Sequence, residues 1–345
     1  MVSRNSNFQD PIGLVLRMLA SGNRAAYAAL TREVLRYGVI PVDRLLEFWE
    51  CRQPEPCSEH PVLLIVGAPR SGTSLVYQAL SQYLDVSFPS NGSVMFSRVP
   101  ITAARLQQRL RKNRRPSFRS FYGQTCRLTD TNDGFEIWNR WLGSDRYQPA
   151  RELTDEQIAD MRSFFARWTG LLDKPLLNKN NRNALAIRLL ADCLPQARFI
   201  VVRRNPVMVA QSLITARKRI QGDVSAAWGL QARTVASDDR LSHVDAVFHQ
   251  LADIETQMAA QLQHVANDRV FSMTYEGFCE QPASMTRSLA DRFAGVTISS
   301  EQELNSCEPF RVSDRQQVSD AELARLHDLL EHRSSPLDAG CQAER

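Results

Sequence analysis

Residues 62–74 read VLLIVGAPRSGTS, a five-residue apolar run that enters a loop of small residues. The run is too short for a helix and rich in β-branched side chains. It predicts a strand buried on both faces, as in a parallel sheet. Residues 71–84 follow as a helix, with Leu75, Val76, Ala79 and Leu80 on one face. Strand, loop and helix N-terminus in that order make an anion site. Gly67 and Gly72 permit backbone angles and a close approach that other residues hinder. Successive loop N–H groups form a nest, and the helix adds unsatisfied amides and the positive end of its dipole. Ser71, Thr73 and Ser74 add hydroxyls, and Arg70, after Pro69, adds a planar charged fork suited to phosphate or sulfonate oxygens.

The spacing of Gly67 and Gly72 is that of the nucleoside-triphosphatase loop GxxxxGK[ST], but Thr73 stands where that loop has lysine. Such a loop is a poor γ-phosphate holder. It still suits a phosphate whose reacting end is served from elsewhere.

A second constellation is VVRRNPVMVAQS, residues 201–212. It follows a strand-like run, residues 197–202, and a helix-like segment, residues 183–194. Asn205 is placed to cap a helix that starts at Pro206. Val209, Leu213 and Ala216 point inward. Arg204 falls at the strand end, where α/β sheets bind ligands, and Ser212 lies two turns into the helix. The pair is placed to hold one phosphate from two sides. A capped surface helix with incidental polar residues is the alternative.

Residues 270–273 (VFSM) are a further strand candidate. The alternation of helix and strand predicts a three-layer α/β domain with a central parallel sheet and a phosphate-binding loop. Residues 11–50 look helical, with Leu14, Leu16, Leu19, Leu30, Val34 and Leu35 at helical spacing. Gly22 and residues 38–41 (GVIP) punctuate them. With the Pro-rich linker 51–61, this divides the chain into a helical N-terminal extension, 1–60, and a catalytic domain, 61–345.

The chain has 345 residues and 43% apolar content, ample for a large core. Its net charge of +4 is milder than nucleic-acid binding usually needs. The seven cysteines, Cys51, Cys57, Cys126, Cys193, Cys279, Cys307 and Cys341, are scattered and lack zinc spacing. They read as free thiols in a reducing cytoplasm. The N-terminus lacks the signal-peptide pattern, and no apolar run reaches the ~20 residues a membrane span needs. Residues 98–119 hold Arg98, Arg105, Arg109, Arg111, Lys112, Arg114, Arg115 and Arg119 without an acid. They read as a solvated basic helix and loop, or as a surface for an anionic acceptor, carrier or membrane face.

Together the two phosphate segments resemble the sulfotransferase family, which uses 3′-phosphoadenosine 5′-phosphosulfate (PAPS). GAPRSGTS resembles its 5′-phosphosulfate loop. RNPVMVAQS resembles its 3′-phosphate motif, with Arg204 and Ser212 in the matching positions. Asn178-Lys179-Asn180 resembles the NKDP-like segment of tyrosylprotein sulfotransferases and their bacterial relatives. Residues 273–278 (MTYEGF), with Gln281-Pro282, resemble the segment whose tyrosine, here Tyr275, lies near the adenosine. The likeness covers residues 61 to about 295. It departs at residues 88–93 (FPSNGS), where relatives often carry a glutamate base, and in lacking the Gly-rich closing segment. Residues 310–315 (FRVSDR) stand in its place, with Arg311 and Arg315 as phosphate contacts.

The resemblance implies in-line sulfonate transfer to an acceptor hydroxyl or amine, with adenosine 3′,5′-bisphosphate (PAP) as product and no metal. It implies that Lys179 acts near the bridging oxygen and that the loop with Arg70 stabilises the leaving phosphate. Residues 129–138 (TDTNDGFEIW) are the first place to seek a base. Glu136, beside Trp138 and Trp141, is the leading choice there, and the first turn of an exposed helix is its alternative. His243 and His249 rank lower. The aromatic residues Phe118, Phe121, Tyr122, Phe135, Trp138 and Trp141 are either core or an acceptor-pocket lining. Peptide, carbohydrate, lipid and secondary-metabolite acceptors all remain open. A small-molecule kinase of this loop architecture and an inactive nucleotide-binding relative are the rival functions.

Overall fold

The computed structural model describes residues 8–50, 58–110, 118, 120–231 and 241–332. The apolar run forms β1 (Val62–Val66), and every residue in it is buried. β2 (Ser120–Phe121) and β3 (Gln124–Thr125) make a short antiparallel hairpin. β4 (Leu176–Lys179), β5 (Ala197–Arg203) and β6 (Val270–Thr274) join β1 in a parallel four-stranded sheet of order β4-β1-β5-β6. Ile65 lies opposite Lys179, Val66 opposite Val201, and Arg203 opposite Thr274. The C-terminal ends of all four strands therefore share one edge.

The pleat sends alternate β1 residues to opposite faces. Val62, Leu64 and Val66 join Phe199 and Val201 in a core with Trp138, Trp141 and Trp168. Leu63 and Ile65 join Ile200 and Val202 in a second core with Val76, Tyr77 and Phe278. Helices cover both faces, which is the three-layer arrangement the sequence predicts. Emptying one such position, as in Leu64→Ala, costs about 2–5 kcal/mol.

The helix after β1 runs Thr73–Tyr83. Asn205 caps the helix Pro206–Gln221, accepting from the amides of Val207 and Met208, and Val209, Leu213 and Ala216 are buried. The segment 183–194 is not one helix. A tight 3-10 turn, Asn181–Leu185, precedes the helix Ile187–Cys193. The Asn180 side chain accepts from the Arg182 amide, tying that turn to the end of β4.

Helices Pro11–Ala20 and Arg24–Glu50 part at Gly22, whose φ is +62°. The break expected at residues 38–41 does not occur, and the second helix passes through Gly38 and Pro41. Pro41 removes one N–H, and contacts on both sides hold the helix. Arg32 donates to the Thr125 carbonyl at 2.7 Å, while Glu50 accepts from the Ile101 amide at 2.8 Å. Leu14 and Leu30 pack on a small core of Met18, Ala25, Ala26, Phe121 and Ile220. Leu16, Leu19, Val34 and Leu35 are exposed instead.

Among the described residues no helix is long and apolar enough to cross a membrane. Cys126, Cys193, Cys279 and Cys307 are free thiols. Cys51, Cys57 and Cys341 lie outside the described residues, as do most of the linker and Arg111, Lys112, Arg114, Arg115 and Arg119. The Arg109 side chain is likewise outside. Residues Pro100–Leu110 form a helix, and Arg98 pairs with Glu47.

Candidate active site at the carboxyl edge of the sheet

Each strand of the main sheet delivers a polar residue or loop at its C-terminal end. Lys179 closes β4, Gly67 follows β1, Arg204 follows β5 and Tyr275 follows β6. Open α/β sheets bind ligands at this edge.

The loop after β1 is tightly constrained. The Ser71 amide donates to the Ala68 carbonyl at 3.1 Å. Arg70 has φ +75° and Gly72 has φ +91°. A non-glycine residue held there costs about 1–3 kcal/mol, a strain typical of ligand clamps. A Cβ on Gly67 would lie 2.5 Å from the Val202 carbonyl oxygen, and one on Gly72 would lie 2.0 Å from Tyr275 Cδ2. Both positions therefore demand glycine. Gly72 occupies the N-cap position with no capping side chain, so no cap takes the first-turn amides of Thr73–Tyr83. Pro69, Ser71 and Thr73 are buried and Ser74 is half-buried.

Arg70 and Ser212 meet directly. Arg70 Nε donates to Ser212 Oγ at 3.0 Å, and the guanidinium lies 4.8 Å from the centre of the Tyr122 ring. Burial pushes the Arg70 pKa down; Tyr122 opposes the shift and the charge of Arg204 adds to it. Arg204 Nη2 donates to the Ser313 carbonyl at 2.8 Å, and its guanidinium lies 4.5 Å over the Tyr275 ring. Its Nη1 donates to the Arg70 carbonyl at 3.4 Å. Arg204 Nε and Ser71 Oγ are buried without a hydrogen-bond partner. Each such orphaned group costs about 1–3 kcal/mol. Two neighbouring guanidiniums, with an orphaned donor on Arg204 and an orphaned Ser71 hydroxyl, beside an uncapped helix fit a ligand bearing phosphate or sulfonate groups.

Tyr275 is buried, which pushes its phenol up to about 12, and its hydrogen bond with Cys279 adds to the shift. Arg311 and Arg315 are exposed on the extended segment that follows Phe310. That segment reaches the site through the Ser313 carbonyl rather than through either arginine. The Gln317 amide anchors it to Gln211 Oε1 at 2.9 Å.

At the β4 end, Lys179 is 3% exposed and its Nζ donates to Asp133 Oδ2 at 2.8 Å. Asn180 donates to the Asp133 carbonyl at 3.2 Å, and Trp138 Nε1 donates to Asn178 Oδ1 at 2.8 Å. The segments 129–138 and 178–180 thus form one cluster. Its acid is Asp133. Glu136 pairs with Arg36 at 3.2 Å, on the N-terminal helix. Trp138 and Trp141 are core residues, packed with Phe165. The acid-free segment 88–93 supplies Asn91, which accepts from Asn132 Nδ2 at 2.8 Å beside Asp133. His243 pairs with Glu322 at 2.6 Å on the C-terminal helix Asp320–Glu331, and His249 is exposed.

The β2–β3 hairpin is absent from the sequence reading. Its turn residues Tyr122 and Gly123 have φ +48° and +91°. Positive φ at both positions is the geometry of a two-residue hairpin turn, and a Tyr-Gly pair is a weak signal for one. The hairpin brings Tyr122 onto Arg70 and Gly123 beside Ser74, whose Oγ would lie 3.9 Å from an added Cβ. Among the described residues no group of three or more His, Cys, Asp or Glu side chains is placed to share a metal ion.

Residues 61–300 match the family model described as Sulfotransferase family. The comparison with curated proteins gives no match. Among solved structures the chain is similar to sulfotransferase STF1 from Mycobacterium tuberculosis H37Rv. The identity is 12% and the TM-score 0.49, over 93% of this chain and 92% of that one. It is similar to STF9 from Mycobacterium avium at 16% identity and TM-score 0.40, over 93% of this chain and 77% of that one. A sulfotransferase from Alicyclobacillus acidocaldarius matches at 19% identity and TM-score 0.37, over 79% of this chain and 97% of that one.

Proposed function

The chain belongs to the sulfotransferase family, and from that premise we propose that it transfers a sulfonate group from PAPS to a hydroxyl of an acceptor. One observation carries the donor assignment. Arg70, Ser212 and Arg204 converge at the sheet edge, with Ser71 Oγ and Arg204 Nε buried and unpaired.

The bound donor supplies an activated sulfonate: the acceptor oxygen–sulfur bond forms as the sulfur–oxygen bond to the 5′-phosphate breaks, releasing PAP. The chain contributes positioning and electrostatics. The amides after Gly67, with Ser71, Thr73, Ser74 and the Arg70 fork, hold the 5′ end. Arg204 and Ser212 hold the 3′-phosphate, and the Tyr275 ring packs beside the nucleoside. Arg311 and Arg315 are the charges through which the Ser313 segment would close over it. Lys179 carries positive charge to the bridging oxygen.

Asp133 is the best-placed base, because Lys179 already orients its carboxylate at 2.8 Å. It would take the acceptor hydroxyl proton. Glu136, held by Arg36, lines the acceptor side instead. Free thiols at the described cysteines fit a reducing compartment such as the cytoplasm.

Release of PAP from PAPS, followed by anion-exchange chromatography with a panel of alcohols and phenols, tests the reading. Acceptor-dependent PAP release that Asp133→Asn lowers about 10²-fold or more is expected. No release with any acceptor, together with turnover of Mg-ATP, would replace this reading with the kinase.

A further inference from the structure

A helix on a protein surface normally turns its apolar stripe to the core and its charges to water. The helix Arg24–Glu50 does the reverse. Arg32, Arg36, Asp43 and Glu50 point inward and bond to the rest of the chain. Arg32 donates to the Thr125 carbonyl at 2.7 Å and Arg36 pairs with Glu136 at 3.2 Å. Asp43 accepts from the Arg98 amide at 3.1 Å and Glu50 from the Ile101 amide at 2.8 Å. Asp43 and Glu50 are buried.

The opposite face carries no charge. Tyr27, Thr31, Val34, Gly38, Pro41 and Leu45 follow one another at steps of four and three, and all are exposed. That alternation is the spacing of a seam between two packed helices. Val34 and Leu45 are 71% and 76% exposed, and Leu35 and Val42 flank them, exposed as well. The Tyr27 hydroxyl donates to the Leu19 carbonyl at 2.9 Å, and the exposed Leu19 extends the apolar face onto the helix Pro11–Ala20. Monomers rarely expose a contiguous apolar surface of this extent.

We propose that this seam pairs two copies of the chain, antiparallel, about a two-fold axis near Gly38. A helix laid against its own copy supplies the matching seam, as a two-fold interface requires. Gly38 lies near the middle of the stripe, and a Cβ added there would meet nothing within 4 Å. The absent side chain leaves room for a second helix to cross closely. Two such faces pressed together bury on the order of 800 Å² per copy, the area of a standard specific interface. The other candidates fit less well. The helix Arg24–Glu50 carries four arginines and four acids, and Arg32 and Arg36 turn inward, so it lacks the basic polar face by which an interfacial helix meets anionic lipid. The parts of the sequence outside the described residues offer Met1, Val2, Val235 and Leu337 as their large aliphatic side chains, too few to cover the stripe.

Sedimentation equilibrium of the full chain across a concentration series tests the proposal. A dimer is expected. Leu45→Glu should weaken it at least about a hundredfold, since the change removes an apolar burial from each copy and puts two charges into the seam. Gly38→Leu adds apolar surface yet should weaken the dimer at least about tenfold, because it fills the crossing. Both positions face solvent in the single chain, and circular dichroism checks that helix content is kept. A parent that stays monomeric at about 50 μM, a dimer indifferent to both substitutions, or self-association tightened by Gly38→Leu overturns the proposal. Co-sedimentation with vesicles of equal phosphatidylcholine and phosphatidylglycerol covers the lipid alternative. Vesicle binding by a monomeric parent, lost in Leu45→Glu, would give the face to a membrane instead.

Discussion

Arg70 Nε donates to Ser212 Oγ at 3.0 Å, joining the loop after β1 to the helix after β5 across 142 residues of sequence. The contact holds a buried guanidinium whose backbone sits in the left-handed region. A carboxylate at position 212 would occupy the proposed anion site from within. Ser212→Asp is expected to raise the melting temperature by about 2–4 °C, because a charge-assisted bond replaces a neutral acceptor. It should also abolish the stabilisation that PAP gives the native chain. Thermal melts with and without PAP check both effects; an undiminished PAP shift in Ser212→Asp would remove residue 212 from the phosphate site.

The Lys179–Asp133 pair invites a test that spares the fold. Lys179→Ala leaves a buried carboxylate without its partner, which costs about 3–5 kcal/mol and confuses stability with chemistry. Asp133→Asn keeps the shape and an amide oxygen to accept from Lys179 Nζ, and because it also leaves that buried ammonium without a counter-charge, its urea stability is measured alongside. It should lower kcat about 10²–10⁴-fold, the usual worth of a general base, with PAP affinity within about twofold of the parent. Glu136→Gln should lower kcat less than about tenfold. The reverse order in a PAP-release assay would return the base role to Glu136.

Gly72→Ala meets two obstacles, the positive φ of +91° and the Tyr275 ring. Gly123→Ala meets only the first, since its nearest neighbour would lie 3.9 Å away. Both should be destabilising in urea, Gly72→Ala by at least about 1–3 kcal/mol and Gly123→Ala by less. Equal losses would mean that the Tyr275 ring yields without cost.

Burial raises the Tyr275 phenol to about 12, against an ordinary value of about 10 in the unfolded chain. The folded state thus keeps its proton longer than the unfolded state. The stabilisation is fully present below pH ~10 and is lost as pH rises from ~10 through ~12. Relative to Tyr275→Phe, the native chain should lose urea resistance as pH rises from ~10 towards ~12. Ultraviolet difference titration should show the missing tyrosinate near 12. A missing tyrosinate near 10 would mean that the phenol is open to water.

The elements that frame the candidate site were legible because their structure is local. Val62–Val66 with the loop and helix after it, and Asn205-Pro206 with its capped helix, each carry their structure within a dozen residues. The expected strand at 270–273 also forms, as Val270–Thr274. Features made by distant contacts were not legible. β4 is a four-residue edge strand ending in Asn178 and Lys179, and its strand character comes from pairing with β1. Asp133 stands three residues before Glu136, and only the approach of Lys179 distinguishes it. Pro41 signals a break that ties from Arg32 and Glu50 override. The apolar positions of the N-terminal helices give no hint of which will be covered, because their neighbours lie in the hairpin and beside Ile220.

Calorimetric titration with PAP, with and without Mg²⁺, compared with ATP and repeated on Arg204→Ala, tests the central claim most directly. The account predicts metal-independent PAP binding in preference to ATP. Arg204→Ala should weaken it by roughly one to two orders of magnitude, the loss of one or more charge-assisted hydrogen bonds. PAP binding indifferent to Arg204→Ala, or a preference for Mg-ATP, would contradict it.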